Sequence, residues 1–377
     1  MVNLSVLSVN IRIVLLVTLL SLVTSCSEKE QDIKIGVLIN SASNPGRSLE
    51  MAAQLVEHQL TADPRFKTKS ISFIKKDIGT TQESALSAFY NLISQHEITA
   101  LVGPTTSQLA TPIAIVANAH QIPLISPSAS NIEVTSGKPF IFTAVFNNDL
   151  QSTALAEFVL NEISAEKIGI LYDKSNAYNK TLALGFKALI ESKNKSIYAY
   201  GYVSGETNFE PYLSKMKAAG IEVLFLPNFD RDISVQTAAI AKIDWRPIII
   251  GSDSWHPQNY SKRTVVSETY FAHQWGVAVG QKNPRAQNFI EAFSQFHSVE
   301  PTIVSALSFD ALNILLDVVN DAGINQEKIR KTISSINQYQ GVSGQYSYLN
   351  SNIPHKPVYL FKASQNQISL HREIRND

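Results

Sequence analysis

The feature that most constrains this chain is an alternation. Short, β-branched apolar runs follow one another with amphipathic stretches between them, from residue 33 almost to the end. Ile33–Asn40 (IKIGVLIN) reads as a strand, and Ser48–Leu60 has helical spacing. Ile71–Lys76 is the next strand, and Thr80–Ser94 the next helix, with Thr80 and Glu83 spaced as a capping box. Strands at Ala100–Gly103 and Pro123–Ser126 flank a helix at Ser107–Ala119. A second series runs through strands at Pro139–Val145, Lys167–Asp173, Ser196–Val203, Val223–Pro227 and Pro247–Asp253, with helical patterns between them. Strands that are apolar almost throughout belong to parallel sheets covered on both faces. Two βαβ-rich series of similar size predict an α/β chain of two doubly wound lobes. After Thr269–Gly276 the pattern turns helical (Pro284–His297, Thr302–Asn320, Gln326–Ile336). Val342–Tyr348 and Val358–Ala363 then read as a β-ribbon.

Length agrees with two domains, since 377 residues exceed a typical single one. Apolar residues make up 44% and charged residues 17%, which is ordinary globular composition. The 32 basic and 32 acidic side chains cancel, which argues against broad electrostatic capture of nucleic acid. There is one cysteine, Cys26, so no intramolecular disulfide and no cysteine-based metal cluster can form. No phosphate-binding glycine loop, no H-E-x-x-H and no G-x-S-x-G occurs. His256 and His273 lack partners at metal-ligand spacing. No enzyme chemistry and no cofactor are expected.

The first 26 residues stand apart. Ile13–Val23 (IVLLVTLLSLV) is apolar apart from one Thr and one Ser. As helix it spans about 16 Å, half of a hydrocarbon core of roughly 30 Å, so it suits a secretory h-region better than a membrane span. Val23-Thr24-Ser25-Cys26 resembles a bacterial lipobox, in which the cysteine is lipidated and becomes the new N-terminus. The alternative is a plain secretory signal with an incidental cysteine. The expected layout is a signal peptide at 1–25 and a tether at 26–32. The absence of a long Pro/Gly/Ser linker suggests several short crossings between the lobes.

Doubly wound sheets bind ligands at the carboxyl ends of their strands. Here those loops are rich in small hydroxyls: Pro104-Thr105-Thr106-Ser107 and Ser126-Pro127-Ser128-Ala129-Ser130-Asn131. Such residues either seat a carboxylate or simply cap helices and shape turns, and residue type does not choose between these roles. The second series adds Tyr172–Tyr178, Pro227–Asp230 and Gly251–Trp255. Hydroxyls on one lobe facing an acid and an aromatic on the other would fit a small zwitterion.

On these residues the chain resembles the solute-binding proteins of branched-chain amino acid ABC transporters, the leucine/isoleucine/valine-binding family. The matching pieces are Val102-Gly103-Pro104 with Ser107, Ile122–Ser130, Leu171-Tyr172-Asp173 with Tyr178, Lys215–Gly220 and Gly251-Ser252-Asp253. The resemblance implies the type I periplasmic binding protein fold, two doubly wound lobes joined by three crossovers and closing on a ligand. Lobe 1 would comprise 33–145 plus 276–340 and lobe 2 146–275 plus 341–377, with crossings near Ala144–Asn147, Ala272–Gly276 and Gln340–Tyr346. Ser107 and Ser130 would bind the ligand carboxylate, and the Ser128 carbonyl the ammonium. Tyr178 would close over the ligand, with Phe229 beside it where several members have Tyr. Asp253 would pair with the ammonium, where many members have Glu. The expected partners are a small-molecule ligand, an ABC permease and, through lipid on Cys26, a membrane. An envelope sensor acting on a protein partner is the alternative role.

Overall fold

The computed structural model describes residues 32–67, 69–255, 267–280, 283–364 and 367–374. The signal segment, Cys26 and residues 27–31 of the expected tether lie outside the described residues.

Lobe 1 is built on a five-stranded parallel sheet in the order β2-β1-β3-β4-β5. Its strands are β1 Asp32–Ile39, β2 Ser70–Asp77, β3 Ala100–Val102, β4 Leu124–Ser126 and β5 Ile141–Thr143. Successive strand residues face opposite sides. Ile33, Ile35 and Val37 accordingly join Ala100 and Val102 in one core, against α1 (Asn44–Leu60) and α9 (Ile303–Ala322). Leu38 and Leu101 face the other way, into a core with α2 (Gln82–Gln95) and α3 (Ser107–Ala119). Helix α9 is long and apolar enough to cross a membrane, yet 78% of its apolar window is buried in the protein. It is the core helix of this lobe.

Lobe 2 carries a seven-stranded sheet in the order β14-β13-β10-β9-β8-β6-β7. Strands β6 Lys167–Asp173, β7 Ser196–Tyr202, β8 Val223–Leu226, β9 Ile248–Gly251 and β10 Thr269–His273 are parallel; β13 Val358–Ser364 and β14 Gln367–Ile374 extend the sheet antiparallel. Ile168, Ile170, Val223 and Phe225 pack on α4 (Asn148–Phe158, continued by a π turn Val159–Ile163) and α5 (Ala177–Ser192). Leu171, Leu224 and Ile249 face α6 (Glu210–Ala218) and α7 (Asp230–Lys242). Helices α8 (Pro284–His297) and α10 (Gln326–Ser335) complete the set used below.

Three details depart from the sequence expectations. The capping box of α2 is Thr81 with Ser84, not Thr80 with Glu83, because the helix begins one residue later and the Ser84 hydroxyl is the group within reach of the Thr81 amide. The tail is not one ribbon. The short strand β12 Gln345–Tyr346 pairs with β11 Tyr339–Gln340, whereas β13 pairs with β14 and β10. Finally, the chain stays on lobe 1 beyond residue 340. Tyr346 and Tyr348 are in the lobe 1 core. The Tyr348 hydroxyl donates to the Thr143 carbonyl (2.8 Å), and the Thr143 amide donates to the Asn352 carbonyl (3.1 Å). The third passage therefore lies between Asn352 and Val358, later than Gln340–Tyr346, because two buried tyrosines hold the intervening segment down.

Candidate ligand-binding site

A cavity of about 190 Å³ lies between the lobes. Its walls come from residues just after strands: Asn40 after β1, Thr105, Thr106 and Ser107 after β3, and Ser128 after β4. The facing lobe gives Asn176 and Tyr178 after β6, Phe229 after β8, and Asp253 and Ser254 after β9. The strand order reverses around β1/β3 in one sheet and β6/β8 in the other, the position where doubly wound sheets open a crevice.

The backbone at this edge is tightly specified. Gly103 ends β3 at φ +94°, and a Cβ there would lie 2.5 Å from the Leu38 carbonyl oxygen. Only glycine allows β1 and β3 to approach this closely in that conformation. The Ser126 hydroxyl donates to the Pro104 carbonyl (2.5 Å) and the Ser128 hydroxyl to the Thr105 carbonyl (2.7 Å), tying the two hydroxyl loops together.

Of the two roles open to these loops, helix capping does not describe Thr106. It is the N-cap of α3 but makes no side-chain capping bond. Ser107 lines the cavity, and its hydroxyl oxygen accepts from the Asn131 amide (3.2 Å). Ser130 does not reach the cavity wall. It is buried, and its hydroxyl donates to Asn148 Oδ1 (2.6 Å). Asn148 in turn donates its amide to the Ser130 carbonyl (2.9 Å) and Nδ2 to the Tyr178 carbonyl (3.3 Å). The Ser130 hydroxyl proton is thus engaged in a structural bond at the start of α4.

On lobe 2, the Tyr178 hydroxyl donates to Asp253 Oδ1 (2.6 Å) and Gln274 Nε2 donates to Oδ2 (2.9 Å). The Asp253 amide donates to Gln151 Oε1 (3.1 Å). Burial, reinforced by the neighbouring Asp253 carboxylate, pushes the Tyr178 hydroxyl well above its ordinary value of 10.0, so it stays a neutral donor. Both Asp253 oxygens thus accept from neutral groups, and among the described residues no cation forms an ion pair with it. Asn176 caps α5 by accepting from the Tyr178 and Asn179 amides, which sets Tyr178 at the mouth of the cavity. The Tyr178 and Phe229 rings lie 5.5 Å apart at 36°.

The structure thus brings Ser107, Ser128, Tyr178, Phe229 and Asp253 to one cavity. It adds Gln274, on the second passage between the lobes, and Asn40, which nothing in the local sequence singles out. Asn40 Oδ1 and the Oγ1 of Thr105, from the first hydroxyl loop, are buried, have no hydrogen-bond partner among the described residues and line the same space. Leu109, Val145, Ile303, Val304 and Leu307 form an apolar wall, three of them from the first turns of α9. The sequence pattern predicts this helix, over Thr302–Asn320, but does not show that its first turns face the cleft. Among the described residues, no group of three or more His, Cys, Asp or Glu could hold a metal ion.

Comparison with known proteins agrees with this architecture. The Leu/Ile/Val-binding protein homolog 3 of Brucella melitensis is 24% identical over 220 residues, covering 57% of this chain and 58% of that protein. The chain spans about half the length of the curated relatives it matches. A branched-chain amino acid transporter substrate-binding protein from Streptococcus pneumoniae, solved with isoleucine, superposes with a TM-score of 0.81 at 22% identity, covering 92% of this chain and 99% of that one. A solute-binding protein of an ABC transporter from R. palustris, solved with benzoate, gives 0.81 at 15% identity, covering 91% and 96%. These likenesses establish the type I periplasmic binding protein fold. The family model for periplasmic binding proteins matches residues 32–367, and the chain belongs to that family, whose members are solute-binding proteins rather than enzymes.

Proposed function

We propose that this protein captures a small zwitterionic solute, an α-amino acid or a close relative, between its lobes and delivers it to an ABC importer. The observation that carries the proposal is Asp253, a carboxylate on the cavity wall that is held by two neutral donors and has no ion-pair partner among the described residues. Asp253 is partly exposed on the cavity wall, and a ligand ammonium there would form a charge-assisted hydrogen bond with it. Across the cavity, Ser107 and the first turn of α3 offer hydroxyl and amide donors suited to the ligand carboxylate, and the Ser128 carbonyl would accept from the ammonium. The partnerless Asn40 Oδ1 and Thr105 Oγ1 add further polar contacts. A volume of about 190 Å³ is below the roughly 300–1,000 Å³ of pockets that take drug-sized ligands, which favours a small solute.

The solved neighbours include one with isoleucine and one with benzoate. Asp253 favours the ligand that bears an amine, because benzoate would bring a second negative charge to the same wall. Ligand binding to both lobes at once would favour the closed form, the only form that makes both sets of contacts. Lipid on Cys26 would hold the protein at the outer face of a membrane, beside the permease.

A thermal-shift screen of amino acids, amides and small carboxylates tests this. At least one α-amino acid should raise the melting temperature. Saturation at 100 times the dissociation constant is worth about 2.7 kcal/mol. A response to amine-free carboxylates alone would overturn the reading. Silence across the panel would favour the envelope-sensor role instead.

A further inference from the structure

Gln274 occupies a position the cleft-wall account leaves unused. It is 1% exposed and sits on the second passage between the lobes, just after β10. Its Oε1 accepts from the Phe146 amide (3.3 Å), which belongs to the first passage. Its Nε2 donates to Asp253 Oδ2 (2.9 Å) on the cavity wall. The two neighbours make opposite demands: a backbone N–H requires an acceptor and a carboxylate requires a donor. The partners therefore fix the amide orientation, and among side chains of this length only glutamine satisfies both.

We infer that Gln274 is a positioning residue: it aims the Asp253 carboxylate at the ligand amine and ties that carboxylate to the first inter-lobe passage. The inference rests on the zwitterion reading of the cleft and names the group that makes Asp253 selective for an amine. Asp253 carries its other oxygen bond to Tyr178, from α5, and its own amide bond to Gln151, from α4. Gln274 alone among these partners comes from a passage between the lobes. Where the carboxylate points is thereby coupled to how the two passages sit against each other. The neighbouring His273 turns its Nδ1 to the Trp275 carbonyl and its ring towards Phe271 and Phe361, away from this contact.

Gln274→Met keeps the length and apolar bulk but loses both bonds. Gln274→Glu keeps the acceptor for Phe146 and loses the donor to Asp253. Two measurements on the full chain and both variants decide the matter. The first, on ligand-free protein, is hydrogen exchange at the Phe146 amide. Exchange should accelerate in Gln274→Met and stay near wild type in Gln274→Glu; no acceleration in either overturns the tie. The second is calorimetry with L-leucine and with 4-methylpentanoate, the same skeleton without the amine. Gln274→Met should weaken L-leucine by about 10- to 100-fold, as for a hydrogen bond to a charged group, and leave 4-methylpentanoate unchanged. Equal losses for both probes would mean general damage to the site and overturn the positioning role. If the wild-type protein binds no amino acid, the zwitterion reading fails, while the exchange measurement still judges the tie.

Discussion

At the scale of single residues, the polar groups divide into those whose role follows from chemical type and those whose role follows from placement. Asp253, Ser107 and Tyr178 stand at strand ends with side chains of the kind a zwitterion would need, and the family resemblance points to each of them. Gln274 and Asn40 are ordinary residues placed by what the fold sets against them, which no local pattern encodes. Ser130 is the converse case: the right residue type at the right strand end, its hydroxyl claimed by Asn148. A second buried polar group sits on lobe 1. Asp310 accepts from the Val342 and Ser343 amides (2.6 and 2.8 Å) and from the Ser343 and Tyr346 hydroxyls (2.6 and 3.0 Å). Gly341 passes so close that a Cβ would meet the Asp310 carboxylate at 2.6 Å. Lys356 donates to the Ser343 hydroxyl (2.7 Å) and lies 3.9 Å over the Tyr346 ring. Burial, partly offset by Asp310, pulls the Lys356 ammonium from 10.5 down to about 7. Between about pH 7 and 10.5 the unfolded chain keeps a proton that the folded chain has released, so stability rises with pH through that window. Burial raises the Asp310 carboxyl above 3.8, so its contribution to stability falls as pH rises just above that value. Lys356→Met should remove the alkaline rise, up to about 1.4 kcal/mol per pH unit, from urea-unfolding curves measured across that range. An unchanged slope would show that Lys356 is not the group responsible.

At the scale of elements, most of the fold is legible because strand type is written in apolar content. Lys167–Asp173 and Pro284–His297 fall where their sequence patterns place them. Boundaries set by side-chain hydrogen bonds are less legible. The capping box at Thr81 is shifted by one residue from the Thr80 expectation, since Thr80 and Thr81 offer the same hydroxyl and only the backbone conformation chooses. The tail misleads for a different reason: two short extended segments in succession read as mutual partners, but each finds its partner elsewhere. The β3 end should be the most intolerant turn of the molecule. Gly103→Ala adds a Cβ at φ +94° against the Leu38 carbonyl. It should cost more than about 2 kcal/mol, measured as a lower urea midpoint at unchanged m-value. A loss under about 0.5 kcal/mol would mean that β1 and β3 can separate without penalty.

At the scale of the whole molecule, two sheets with four helix-covered faces form lobes linked by three chain passages. The described contacts include a bond across the cleft, from Asn131 Nδ2 to the Thr181 hydroxyl (3.2 Å). The division into two lobes was readable from the repeated βα pattern. The third passage was not, because Tyr346 and Tyr348 keep the chain on lobe 1 by long-range packing. The proposed attachment is tested separately. Cys26→Ser should move the protein from the membrane to the soluble fraction on cell fractionation, and retention in the membrane would contradict the lipobox assignment. The proposed contact between Asp253 and a ligand amine is tested by titrating wild-type protein and Asp253→Asn with the same α-amino acid in a calorimeter. Asparagine keeps the shape and removes the charge, so affinity should fall by at least about 30-fold with the fold intact by circular dichroism. Equal affinity in the two proteins would mean that the Asp253 charge takes no part in binding.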